Sequence, residues 1–254
     1  MVQEEAAGSA DTSSAGVMKT LLLLLSAGKL GKAALTGGTM LLSMVAYAFV
    51  FGWWYAVGFV LLIFGHEMGH YIAAKQRGLN VGAPTFIPFV GAWIQLKDQP
   101  MNVETEAYVG IAGPVAGTVA AGACYYAAEY FDSQLLLALS YSGFMLNLFN
   151  LIPLSPLDGG RITAIISPKV WWLGVPILIV LFFSNHSPML LMIAILAAPQ
   201  LLSTLRGADQ YPAYVRYYDT PLATRYSYAA YYLSLAAFLS IMSYQLHQVL
   251  PRVQ

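Results

Sequence analysis

The chain has 254 residues and no net charge; 58% are hydrophobic, only 9% are charged, and the mean hydropathy is +0.63. A soluble domain carries about a quarter charged residues, so this composition excludes an ordinary soluble fold and points to a polytopic membrane protein. The twelve basic residues are spread in ones and twos and form no patch for nucleic acid, while a single cysteine, Cys124, excludes an intrachain disulfide and a cysteine-rich metal site.

Residues 1–17 are small, polar and slightly acidic, lack the positive start of a signal peptide, and are expected to form a disordered tail. Residues 18–36 have an apolar centre too short to span and three lysines, Lys19, Lys29 and Lys32, the pattern of an interfacial helix. The membrane domain is expected over 37–254, with apolar spans at about 37–53, 54–74, 107–128, 133–153, 170–184, 188–203 and 226–247. The fold class is therefore all-α and polytopic, with about six to seven transmembrane helices. If the N-terminus is cytosolic and seven spans alternate, eleven lysines and arginines fall on the cytosolic side and only Arg252 on the other. That asymmetry is the one expected of cytosolic loops.

Two connections differ from simple tethers. Residues 81–99 hold Gly82, Pro84, Pro88 and Gly91 among β-branched and aromatic residues, poor material for a helix and suited to extended chain. The stretch is also too apolar for a solvated loop, so it is expected to re-enter the membrane against protein. Residues 204–225 are tyrosine-rich and basic and are expected to form a cytosolic interfacial loop.

Charge inside the second span is the exception that needs an account, because intramembrane ionisable groups are expensive. His66 and His70 are four apart, so a helix presents both imidazoles on one face, with Glu67 beside them. The spacing suits two ligands of one zinc ion and a carboxylate acting as general base on a water. It arises by chance in on the order of one in several hundred sequences of this composition. Two membrane histidines can also hold haem or copper, or bond to neighbouring carbonyls. A third ligand is sought at the same depth. His186 and His247 fall on the opposite side, whereas Asp158, in an apolar setting after the broken end of the fourth span, falls on the right one. Gly159 and Gly160 after it are read as permitting a tight turn.

Together, His66-Glu67-Met68-Gly69-His70 and Asn150-Leu151-Ile152-Pro153…Leu157-Asp158-Gly159 resemble the site-2 protease family of intramembrane zinc metalloproteases. Gly110 to Gly117 resembles that family's third core helix, and Val90 to Leu96 its strand-like re-entrant loop. The resemblance covers about residues 50–165, the expected metalloprotease core, and leaves 166–254 as additional C-terminal spans. It implies one zinc ion per chain held by His66, His70 and Asp158, with Glu67 activating water and Asn150 steadying the oxyanion or substrate backbone. Gly91, Ala92, Trp93 and Ile94 become the candidate substrate-binding residues. Gly113 and Pro114 are expected to shape a kinked, closely packed helix. No insertion long enough for a PDZ domain and no CBS pair is read in the sequence, so substrate selection is expected to rest on the membrane core or a separate partner. The implied partners are membrane-spanning protein substrates and the bilayer, in a prokaryotic plasma membrane, with the site near the cytosolic face. The alternative is a member of the same fold that binds metal without cutting.

Overall fold

The computed structural model describes residues 34–82, 84–88, 91–93, 102–205 and 212–250. The expected tail, most of the expected interfacial helix and Ile94 lie outside these residues. Six of the described helices are long and apolar enough to cross a membrane. They are α1 (Ala34–Phe51), α2 (Trp53–Gln76), α3 (Val103–Phe131), a 3-10 turn running into α6 (together Pro168–Asn185), α7 (Pro188–Leu205) and α9 (Leu222–Val249). The remaining expected span, the fourth, is α4 (Gln134–Asn150), whose 17 residues give a length of about 26 Å. It lies between α2, α3 and α9. The protein is an all-α polytopic membrane protein with one short two-stranded insertion. Residues 34–36, expected in the interfacial helix, are already part of α1.

Gly52 breaks the first apolar run. Its φ of 84° is left-handed, and the chain turns there from α1 into α2. The two helices pack back to back through Tyr47, Val60, Ile63 and their neighbours. After α2 come β1 (Thr85–Ile87) and β2 (Gly91–Trp93), antiparallel, with Phe86 opposite Ala92. The Phe86 N–H is donated away from β2, to Thr39 Oγ1 of α1 at 3.2 Å, and Thr36 Oγ1 donates to the Pro84 carbonyl at 2.6 Å. The outer edge of β1 is thus bonded by α1. Because paired residues of an antiparallel ladder alternate, Ala92 turns its own N–H and carbonyl outward from β2.

Asn102 caps α3, its side chain accepting from the Thr105 N–H at 2.9 Å, with Glu104 and Glu106 in the first turn, where the helix dipole favours them. A two-residue link, Asp132 and Ser133, turns the chain into α4. Beyond α4 the chain loops to α5 (Asp158–Thr163). Here the structure corrects an expectation: Gly159 and Gly160 are not in a positive-φ turn but in the first turn of this helix. They are needed for space, since a Cβ on Gly159 would enter the carbonyls of Leu151 and Ile152. The loop is anchored from outside by Tyr232 O–H donating to the Leu151 carbonyl (2.6 Å), and α5 by Trp171 Nε1–H donating to the Gly160 carbonyl (2.8 Å).

Residues 204–225 hold more order than a loop. They include α8 (Pro212–Tyr218), and α9 begins at Leu222. Arg225 ties that corner down by donating to the carbonyls of Thr220, Ile166 and Tyr218.

Candidate metal centre

α2 carries His66, Glu67 and His70 on its inner side, 3%, 8% and 7% exposed in a helix that is otherwise apolar. α5 brings Asp158 to the same place, 7% exposed. Nε2 of His66 lies 3.1 Å from Asp158 Oδ2, Nε2 of His70 lies 3.1 Å from Asp158 Oδ1, and the two Nε2 atoms are 3.1 Å apart. One donor atom from each residue falls within 4.8 Å of the others.

The outer nitrogens decide what this cluster is for. His70 Nδ1 is 2.7 Å from the Val109 carbonyl, which can only accept, so Nδ1 carries the proton. His66 Nδ1 is 2.8 Å from Asn147 Oδ1. Asn147 Nδ2 donates to the Gly143 carbonyl at 2.7 Å, which fixes the amide with its oxygen toward the imidazole. Both rings therefore donate from Nδ1 and turn Nε2 toward each other and toward the Asp158 carboxylate. Two Nε2 atoms and a carboxylate converging in this way can hold a cation between them. Two imidazoles and one carboxylate are a catalytic zinc ligand set, and tetrahedral ligands about 2.0–2.1 Å from zinc stand about 3.3 Å apart. The observed 3.1 Å spacings fit one zinc ion. That the rings also donate outward is the arrangement usual for metal-bound histidine.

A charged chain leads away from the centre. Arg161 Nη1 stands 4.0 Å from Asp158 Oδ1 and its Nε 3.9 Å from Glu106 Oε1. The Tyr217 hydroxyl of α8 donates to Glu106 Oε2. Burial first, and then the Glu106 charge, push the Tyr217 hydroxyl above its ordinary value. Its neighbour Tyr218 is raised likewise, by burial and by Tyr214.

Of the residues expected from sequence, His66, His70 and Asp158 are brought together, with Glu67 next to them on α2. Asn150 ends α4 and is half-buried. The asparagine that reaches the imidazole is Asn147, one turn earlier, which the sequence reading passed over. Its signal was present: an asparagine one helical turn before the motif residue, on a span with little other polarity. Gly91, Ala92 and Trp93 form β2.

The model of Peptidase family M50 matches residues 54–134, the part that carries His66 to His70 and all of α3. The chain is also similar to the zinc metalloprotease MJ0392 of Methanocaldococcus jannaschii, 36% identical over 128 residues. That likeness takes in 47% of this chain and 37% of the relative, so the chain spans little more than a third of that protein's length. Fold and site together describe a protein with membrane-spanning helices and a buried two-histidine, one-aspartate group that could hold a metal ion. The chain is thus similar to Peptidase family M50 over residues 54–134, and it resembles a zinc metalloprotease over about half its length.

Proposed function

We propose that this chain is an intramembrane zinc metalloprotease that hydrolyses peptide bonds within or near the transmembrane segments of membrane-protein substrates. The observation that carries the reading is the convergence of His66, His70 and Asp158, buried within a helix bundle and flanked by Glu67. A protein that only stored metal would have no use for Glu67, a carboxylate outside the ligand set, at this depth.

Zinc bound by His66, His70 and Asp158 would supply Lewis-acid polarisation of the scissile carbonyl and a more acidic water. The remaining work belongs to this chain. Glu67 takes the proton from the attacking water and returns it to the leaving amine, so it acts as base and then as acid. Asn150, at the end of α4 beside the loop that leads to Asp158, is proposed to steady the oxyanion or the substrate backbone. A helical peptide bond is shielded by its own hydrogen bonds, so the substrate must be held extended. Adding it as a strand provides this. Since Thr36 and Thr39 bond the outer edge of β1, the proposed docking edge is β2, with Ala92 exchanging the backbone bonds, Gly91 and Trp93 beside it, and Ile94, next in sequence, the fourth proposed substrate-binding residue.

The catalytic core is proposed to be about residues 50–165, with the spans of 166–254 as an addition. The eleven-to-one distribution of lysine and arginine supports a cytosolic N-terminus and a site near the cytosolic face. A prokaryotic plasma membrane is the proposed location.

The test compares membrane proteomes of cells making wild type or Glu67→Gln at equal levels, with zinc content measured on both purified proteins. Single-span proteins or their membrane stubs should accumulate only with the variant, which keeps its zinc. Equal proteomes, with zinc in both proteins and no cleavage of any single-span substrate in proteoliposomes, would leave a metal-binding protein without protease activity.

A further inference from the structure

We infer that Asn147 is a positioning residue of the metal centre: its amide oxygen holds the His66 ring and fixes the tautomer that leaves Nε2 free as a ligand. The inference rests on the zinc reading above. Asn147 is 1% exposed, in the last turn of α4, and both ends of its amide are engaged, Oδ1 by His66 Nδ1–H at 2.8 Å and Nδ2–H by the Gly143 carbonyl at 2.7 Å. The second bond sets the first, because it removes the amide flip that would turn an N–H toward the imidazole. A flipped amide would need a lone pair on Nδ1, move the proton to Nε2, and so block the ligand atom.

The two histidines are held by different means. His70 is bonded by a backbone carbonyl, that of Val109, which no substitution removes. His66 depends on a side chain brought in by a different helix, so α4 must be docked on α2 before His66 is aligned. α3 is shaped to admit the amide: a Cβ on Gly117 would lie 2.8 Å from Asn147 Cγ and closer still to its oxygen. Gly117 and Asn147 thus form a complementary pair across the α3–α4 contact.

Asn147 could instead serve packing alone, and the variants separate the two roles. Asn147→Leu keeps the size and removes the acceptor; Asn147→Asp keeps an oxygen for His66 Nδ1–H. Zinc affinity is measured by competition with a chromophoric chelator, the ligand field by the cobalt(II) visible spectrum, and packing by the melting temperature of the metal-free protein. We expect Asn147→Leu to weaken zinc binding about 10- to 100-fold, the usual cost of losing an outer partner of a metal-bound histidine, and to change the cobalt bands. Asn147→Asp should recover most of the affinity and the wild-type bands. Where Asn147→Leu fails to fold, Asn147→Ala, which removes the acceptor together with volume and adds no bulk, takes its place. Wild-type zinc affinity and cobalt bands in the variant lacking the acceptor would overturn the inference. So would losses shared equally by Leu and Asp and matched by the drop in metal-free melting temperature. A wild-type protein that takes up no zinc would instead overturn the metal reading on which the inference rests.

Discussion

Replacing Gly113 by alanine should remove zinc although Gly113 is not a ligand. A Cβ on Gly113 would stand 2.7 Å from His70 Cδ2 and nearer still to Cε1 and Nε2, where ordinary contact begins at 3.4 Å. The ring cannot simply pivot, because its Nδ1–H is held by Val109 at 2.7 Å on the same helix. It must retreat by at least about 0.7 Å, several times the roughly 0.2 Å within which a metal–ligand distance is expected to hold. We therefore expect a loss of zinc affinity at the upper end of, or beyond, the roughly 10- to 100-fold that an outer hydrogen bond is worth. The assay is the gain in thermal stability on adding zinc. At a thousandfold excess over Kd that gain is about 4 kcal/mol, and a hundredfold weaker site leaves about 1.4 kcal/mol. The matched control is Gly122→Ala on the same helix, where a Cβ meets nothing within 4 Å. It should bind zinc normally and gain about 0.4–1 kcal/mol from the stiffer unfolded chain. A folded Gly113→Ala protein with wild-type zinc affinity would refute the placement of the His70 ring against α3.

Two further outcomes are expected. Asp158→Ala should lose most of its zinc and its cleavage together, and an unchanged zinc content would remove Asp158 from the ligand set. Tyr217→Phe should lower the melting temperature by an amount that stays constant between about pH 6 and 9. The folded-state value of Tyr217 is raised, so its contribution is fully present below the ordinary tyrosine value near 10 and is lost as pH rises above it. The gap between wild type and variant should then shrink above about pH 10, and a gap that widens there would mean that the folded protein favours the ionised hydroxyl.

What was legible in the sequence follows from which distances are local. His66 and His70 are one helical turn apart, so helix geometry alone puts their rings on one face. The seven apolar runs are long and strongly hydrophobic, and the helices observed start and stop within a few residues of them. Asp158 could be found only through topology, by asking which carboxylate reaches the depth of the histidines. The rest depends on how helices dock. Asn147 and Asn150 are three residues apart on α4, and only the rotation of α4 against α2 decides which one meets His66. Gly113 and Gly159 look like a packing glycine and a turn glycine, because the partners that need their space, His70 and the Leu151 carbonyl, are 43 and 8 residues away in sequence. The link from Tyr217 to Glu106 crosses 111 residues and joins a segment that reads as surface loop.

The buried stripe of α3 shows why packing and chemistry are not separable here. Gly110, Gly113, Gly117 and Ala121 recur at intervals of three and four, and small residues of this kind let helix backbones approach in lipid, where no hydrophobic drive brings helices together. Each position meets a different part of the site. Gly110 faces Arg161 and Ile162 of α5, Gly113 faces the His70 ring, Gly117 faces the Asn147 amide, and the Ala121 carbonyl accepts from Ser140 of α4 at 2.9 Å. The same close approach brings the Val109 carbonyl within reach of His70 Nδ1. So the contacts that hold α2, α4 and α5 on α3 also set the two histidine tautomers and seat the helix that bears Asp158. On the proposed zinc reading, a cation at the centre would tie those helices to one stripe, and loosening the stripe at any of its positions would loosen the centre.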